Sequence, residues 1–130
     1  MTKLSRAEIM KRATFMKFKD KMILKCDLSS LDSAEKVDRV VSYFLSMVKQ
    51  MPPKSLVGLV DFTDLKVADE VVSEMIHLTE NCNPHFRATA VIAKEPCAIS
   101  LAKDVINHFG AINLPIYQDE EAAKTWLFTQ

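Results

Sequence analysis

The chain has 130 residues, of which 48% are hydrophobic and 26% are charged, with 17 basic and 17 acidic side chains. This size and composition are typical of one globular domain with its own hydrophobic core. No apolar run approaches the ~20 residues of a membrane-spanning helix, and the three cysteines are too few and too widely spaced for a disulfide framework. We therefore expect a cytoplasmic domain without an integral membrane segment.

Basic residues are concentrated at the start of the chain. Residues 1–25 carry eight basic and two acidic side chains, so their net charge is +6 and that of the remainder is −6. Apolar residues between positions 5 and 18 recur at near-helical spacing, which predicts a basic amphipathic helix or arm within residues 1–20. Its basic face is either solvated or docked on the acidic body of the same or a neighbouring subunit. We expect no nucleic-acid partner.

From residue 21 onward, strand-like and helix-like patterns alternate in a region that we predict to be one domain, 21–130. Met22–Leu28 is a predicted strand. Asp32 with Glu35 resembles a capping box at the start of a helix that Pro52-Pro53 ends. The later predicted elements are a strand at Leu56–Asp61, a helix at Ala68–Asn81, a strand at Phe86–Ala93, a helix from Pro96 to Gly110, a strand at Leu114–Tyr117 and a final helix capped by Asp119.

The spacing of these elements predicts the topology. The strands begin about thirty residues apart, which requires parallel strands joined by right-handed helical crossovers. We therefore predict an α/β fold with about four mainly parallel strands and four to five helices.

The stretch from Ser55 to Glu70, SLVGLVDFTDLKVADE, is a buried strand followed by a polar loop and a helix start. In open α/β sheets, ligands and partners bind at the carboxyl ends of the strands. We therefore predict a partner- or ligand-binding site at this edge. Its predicted residues are Asp61, Thr63, Asp64, Asp69, Glu70, Lys94 and Tyr117.

The charge of this edge predicts the chemistry of its partner. Helix N-termini that point to the edge favour an anion. The many carboxylates there oppose a phosphate group and favour a basic or amide-rich protein surface. Protein recognition is therefore the preferred interpretation.

The sequence lacks the residue patterns that nucleotide-binding, metal-binding and catalytic sites require. Two glycines, Gly58 and Gly110, cannot build a glycine-rich phosphate loop or a dinucleotide fingerprint. Cys82 and His85 have metal-ligand spacing, but a structural zinc site needs four ligands and no second pair accompanies them. We expect no catalytic residues, metal or cofactor. A histidine within reach of Cys97 or Ser100 would instead indicate an enzyme.

The chain resembles a STAS-like domain, the α/β module of anti-sigma-factor antagonists and sulfate-transporter tails, and most closely a short uncharacterised bacterial branch. The resemblance covers most of residues 21–128. It rests on the strand end Leu59–Thr63 (LVDFT), the strand Phe86–Ile92 (FRATAVI) and the closing strand and helix Ile116–Leu127 (IYQDEEAAKTWL).

In the anti-sigma-factor antagonists, the corresponding loop leads to an Asp-Ser pair whose serine is phosphorylated to break partner binding. The resemblance aligns this pair with Asp69-Glu70, so the aspartate is retained and glutamate replaces the serine. A carboxylate cannot accept a phosphate in this way. Thr63 and Ser73 are nearby hydroxyls, but neither occupies the matching position. The resemblance thus implies a module without the usual phosphoserine switch.

We therefore expect a non-catalytic regulatory or protein-interaction module that binds a partner protein or forms a homo-oligomer, such as a dimer. The alternative is a small-molecule or lipid carrier with an apolar pocket between helices and sheet, because lipid-binding domains of the CRAL-TRIO kind have a similar topology. Neither of these two functions is catalytic.

Overall fold

The computed structural model of the protein describes residues 3–110 and 113–130. The first two residues of the predicted N-terminal segment therefore lie outside the described residues. The described chain folds as a single α/β domain. Its elements are α1 (Arg6–Arg12), β1 (Ala13–Phe18), β2 (Lys21–Asp27), α2 (Ala34–Val48), β3 (Leu56–Asp61), α3 (Asp69–Cys82), β4 (Phe86–Ile92), α4 (Pro96–Phe109), β5 (Ile116–Tyr117) and α5 (Glu120–Phe128).

One sheet connects the whole domain, with the strand order β1-β2-β3-β4-β5. Neighbours from β2 to β5 are parallel, and β1 is antiparallel to β2. The predicted α/β class with a mainly parallel sheet is thereby confirmed, and β1 is a strand that the sequence interpretation missed. Helices α2, α3 and α4 pack on one face of the sheet, as successive right-handed crossovers require, and α5 packs on the other.

Strand β3 lies at the centre of the sheet and is buried on both faces. Leu56 and Val60 belong to the core under α2, α3 and α4, whereas Val57 and Leu59 belong to the core under α5. Successive side chains of a strand point to opposite faces, so a strand covered on both sides needs an almost continuous apolar run. The sequence LVGLV meets that requirement.

The helix predicted over residues 5–18 is wrong beyond Arg12. Helix α1 begins as expected at Ser5, whose Oγ accepts a hydrogen bond from the Glu8 backbone N–H (3.1 Å). From Ala13 the chain is strand β1, which pairs with β2 across a turn where Lys19 has a φ of 56°. The predicted N-terminal arm is thus partly a strand of the central sheet.

Several other boundaries differ from the prediction, among them the start of α2 and the extent of β5. The N-cap of α2 is Ser33, whose Oγ accepts from the Lys36 backbone N–H (3.3 Å), while Asp32 forms an ion pair with the Lys36 ammonium (2.8 Å). Strand β5 contains two residues instead of four. As predicted, Pro96 lies in the first turn of α4, Gly110 is the C-cap of that helix with a φ of 77°, and Asp119 caps α5.

Gly58 in the middle of β3 permits a close approach of the Phe86 ring. A Cβ atom built on Gly58 would lie 2.5 Å from Cε2 and 2.8 Å from Cδ2 of that ring. The Phe86 ring is also stacked with Phe44 of α2, with a centroid distance of 6.1 Å. Phe86 therefore cannot move away without disrupting the contact with α2.

We expect Gly58→Ala to lower the free energy of unfolding by about 1–3 kcal/mol, the usual cost of overpacking a core. The same substitution should cost less in a Phe86→Leu background, because the aromatic ring that the methyl group meets is gone. Urea denaturation of the four proteins of this double-mutant cycle gives the coupling. An equal loss of unfolding free energy in the wild-type and Phe86→Leu backgrounds would show that the Phe86 ring does not restrict position 58.

Candidate functional site

Strands β2 and β3 end in the same five-residue pattern, Asp27–Leu31 (DLSSL) and Asp61–Leu65 (DFTDL). In each turn, Oδ1 of the aspartate accepts a hydrogen bond from the backbone N–H two residues later, with both N–O distances at 2.9 Å. This is the local side-chain turn that aspartate favours at the end of an element. The carboxyl edge of the sheet is therefore built from a repeated loop.

The two loops are also joined to each other. The fourth residue of each has a left-handed backbone, with φ of 60° at Ser30 and 56° at Asp64, and the fifth is a buried leucine. Ser30 N–H donates to the carbonyl of Thr63 (2.8 Å). Two further backbone bonds join the loops, from Leu28 N–H to Asp61 O and from Lys66 N–H to Leu31 O, each 3.0 Å.

Asp61 and Thr63, two of the predicted site residues, are used inside the loop. The Thr63 hydroxyl donates to Asp61 Oδ1 at 2.6 Å, and the second carboxylate oxygen, Oδ2, lies 4.0 Å from Lys25 Nζ. The Asp61 side chain is only 14% exposed. These two residues therefore shape the edge instead of presenting free polar groups to a partner.

Asp64, Asp69 and Glu70 are exposed at this edge. The Asp64 backbone N–H donates to Glu95 Oε1 (3.0 Å), and this hydrogen bond lowers the pKa of Glu95. Asp69 and Glu70 occupy the first turn of α3, where negative charge is favoured by the helix dipole. The N-cap residue Ala68 makes no side-chain capping bond.

Lys94 and Tyr117, the remaining predicted site residues, lie in different environments. Lys94 is exposed just after β4. Tyr117 is half-buried in the core under α5, where its ring lies 6.4 Å from that of Trp126. The structure thus places Lys94 at the carboxyl edge and uses the Tyr117 side chain in packing. Glu95, which accepts the hydrogen bond from the Asp64 backbone, is not among the predicted site residues.

A group of charges beside this edge was not predicted. Lys25 Nζ and Lys124 Nζ each lie 2.8 Å from a different oxygen of Glu120. Burial raises the pKa of Glu120, but the hydrogen bonds from the two lysines outweigh it and the pKa is lowered. Burial likewise disfavours the charged form of Lys25, yet its hydrogen bond with Glu120 and its neighbouring carboxylates raise the pKa overall. These residues form an ion-paired network between β2 and α5.

The N-terminal segment is fastened to the same edge by Arg12. Its Nη1 donates to the carbonyl oxygens of Ser29 (2.8 Å) and Asp27 (3.2 Å). The guanidinium also lies 3.9 Å from the Asp27 carboxylate. At Arg12, therefore, the basic segment is docked on the body of its own chain.

The histidines and cysteines of the described residues are not paired with one another. His85 Nδ1 lies 2.9 Å from the Met51 carbonyl, and His77 interacts with Asn81. Burial raises the pKa of Cys82 to about 12, so its thiol is protonated at neutral pH. Within residues 3–110 and 113–130, no group of three His, Cys, Asp or Glu residues is placed to hold a metal ion.

On the face covered by α2, α3 and α4 there is a cavity of about 160 Å³ between the sheet and the helices. Its exposed lining residues include Lys54, Asn83 and Arg87, which lie near the amino ends of β3 and β4, opposite the edge described above.

In the described part of the chain, no helix combines the length and apolar character needed to cross a membrane. Comparisons of the chain with protein-family models, with curated proteins and with solved structures found no match.

We expect Glu120→Gln to lower the free energy of unfolding at pH 7 by roughly 0.5–1 kcal/mol, the magnitude of a partly exposed ion pair, because the Glu120 side chain is 34% exposed. The pKa of Glu120 is lower in the folded state, so its contribution is present above the unfolded pKa of about 4.3 and is lost as the pH falls below it. Urea denaturation of both proteins between pH 3 and pH 7 should show the difference disappearing in acid. A difference independent of pH would contradict the ionic origin.

Glu74→Gln should not lower the free energy of unfolding at pH 7, in contrast to Glu120→Gln. Burial raises the pKa of Glu74, and the nearby Asp38 carboxylate raises it further. Ionising Glu74 therefore costs stability as the pH rises through the interval between its unfolded and folded pKa values. We expect this variant to be at least as stable as the wild type at pH 7 and to lose any advantage below about pH 4. A marked loss of stability at pH 7 would show that the carboxylate is needed.

Proposed function

We propose that this protein is a non-catalytic, STAS-like regulatory module of the cytoplasm that binds a partner protein, or a second copy of itself, through the carboxyl edge of its sheet. The interacting surface is formed by Asp64, Asp69 and Glu70, with Lys94 at its border. These residues are exposed, and three of the four are acidic.

The conformation of Asp64 is the observation that carries this proposal. It is a non-glycine residue with a φ of 56° at an exposed position. Residues held in this way persist only where their surroundings fix them, and they are concentrated at functional sites. Here the turn formed by Asp61 and the hydrogen bond to the Glu95 carboxylate hold the backbone of Asp64 in place. The edge is thus preorganised, which reduces the entropy lost on binding.

The charges favour a partner with a basic or amide-rich surface. Asp69 and Glu70 make no salt bridge with another described residue, so their charge is available to an incoming cation. Complementary charge of this kind mainly increases the association rate and selects among partners.

Phosphorylation of the two hydroxyls nearest the edge is disfavoured by their existing contacts. The Thr63 hydroxyl donates to Asp61 within the loop. The Ser73 hydroxyl donates to the Asp69 carbonyl at 3.4 Å, inside α3. The STAS-like resemblance aligns Glu70 with the switch serine, and together with these contacts it supports a module regulated by means other than a phosphoserine.

The test is affinity capture with wild-type protein and with Asp64→Lys/Glu70→Lys, followed by quantitative mass spectrometry. We expect the double charge reversal to lower recovery of the specific partner at least about tenfold, since like charges placed across an interface cost several kcal/mol. Sedimentation velocity of the same proteins covers the case in which the partner is a second copy. Lysine is compatible with the backbone at position 64, because Lys19 and Lys54 adopt the same conformation in this chain.

The matched control is Glu80→Lys/Asp104→Lys, which makes the same change in net charge at exposed positions on α3 and α4 away from the edge. It should leave partner recovery and sedimentation unchanged. Equal recovery of every partner, and an equal sedimentation coefficient, with wild type and with the edge variant would remove this surface from consideration.

A further inference from the structure

The cavity on the helical face is a second candidate binding site, separate from the carboxyl edge. Its volume is about 160 Å³, and it lies between the sheet, α3 and α4. The walls are mostly apolar. They include Val60, Met75, Leu78, Val91 and Val105.

Three of the positions that line the cavity, on three different elements, carry no large side chain. Gly58 of β3, Thr89 of β4 and Ala102 of α4 all line it. Gly58 cannot be enlarged without displacing the Phe86 ring, which is stacked on Phe44. The stacked pair therefore forms a rigid wall beside the open volume.

A β-bulge places a positive charge at the mouth of the cavity. Leu56 pairs with Phe86, but the next residue, Val57, pairs with Ala88, so Arg87 is the extra residue of β4. Bulges of this kind re-aim side chains and occur frequently beside binding sites. Arg87 is exposed and lines the cavity, and its side chain makes no hydrogen bond or ion pair with another described residue.

Lys54 adds a second positive charge at the mouth. Its Nζ donates to the Asn83 carbonyl (3.0 Å) at the end of α3, which offsets the negative end of that helix dipole. Among the described lining residues, Lys54 and Arg87 carry the formal charges, and both are positive. Thr89 also lines the cavity, and its hydroxyl makes no hydrogen bond with another described residue.

We infer that this cavity binds a small apolar anion, namely an aromatic or short-chain carboxylate, with its apolar part among the valines and its carboxylate at Arg87. A cavity of about 150 Å³ is known to accept a benzene ring. Sites for drug-sized molecules have about 300–1,000 Å³. The available volume thus fits one ring or a short chain and excludes a lipid tail.

Three probes of similar shape test both parts of this inference: benzoate, neutral benzyl alcohol and cationic benzylamine. Each is titrated into the ¹⁵N-labelled protein at pH 7 and followed by ¹H–¹⁵N correlation spectra. We expect saturable shifts at Gly58, Thr89 and Ala102, with affinities in about the millimolar range or tighter for such small ligands. The order of affinity should be benzoate, benzyl alcohol, benzylamine.

Variants of the protein separate the contribution of the positive charge at Arg87 from that of the apolar cavity. Arg87→Gln should weaken benzoate about two- to fivefold, the range of an exposed ion pair, and leave benzyl alcohol unchanged. Ala102→Leu fills the cavity and should abolish binding of both. Lys103→Gln, an exposed cation on α4 that does not line the cavity, is the matched control and should change neither affinity.

The titrations of the wild-type protein decide the outcome even if Ala102→Leu does not fold. Absence of saturable shifts with all three probes up to about 10 mM would overturn the inference. Binding of benzylamine as tight as that of benzoate would overturn the assignment of an anionic ligand. Neither outcome bears on the carboxyl edge, so this inference and the proposed function fail independently.

Discussion

Strand β3 is hydrogen-bonded to a parallel strand on each side, and this double pairing determines where the helices and both candidate sites lie. Parallel neighbours cannot be joined by a tight turn, so each connection must cross one face of the sheet. Since the strand order follows the chain and crossovers are right-handed, α2, α3 and α4 cover the same face. The opposite face is left to α5.

The same pairing separates the two ends of the sheet in both shape and charge. At the carboxyl end, the aspartates that end β2 and β3 are register partners, so their turns stack and hold Ser30 and Asp64 in left-handed conformations. At the amino end, the bulge in β4 and the lysine that closes the C-terminus of α3 bring positive charge to the mouth of a cavity. The acidic surface at one end and the cationic mouth at the other therefore share none of the residues that the two proposals assign to binding.

The fold could be predicted from local patterns wherever burial follows a regular period. The stripe of α2 and the continuous apolar run of β3 are examples, because each is set by the faces that the element covers. Strand β1 was missed because Ile9, Met10, Ala13 and Met16 fit a helical period although the chain changes conformation at Ala13. Its turn gave no signal either, since Lys19 takes a left-handed backbone that is usually occupied by glycine.

The carboxyl edge could be located from the sequence, but the roles of its residues could not. Asp61 and Thr63 were correctly placed at the end of β3, yet their polar groups bond to each other, a geometry that depends on the loop. A signal for it was present: the repetition of DLSSL as DFTDL predicts two equivalent turns. The pairing of Lys25 with Glu120 joins residues 95 positions apart and leaves no local pattern.

The cavity could not be predicted from the sequence for a different reason, because its lining residues come from separate elements that only the fold brings together. Gly58, Thr89 and Ala102 are each unremarkable in their own element. Strict alternation along FRATAVI would place Thr89 on the opposite face from Phe86, and only the bulge at Arg87 brings both to the helical face. A ligand that binds only the folded state stabilises that state by mass action, so occupancy of the cavity and the stability of the fold are linked.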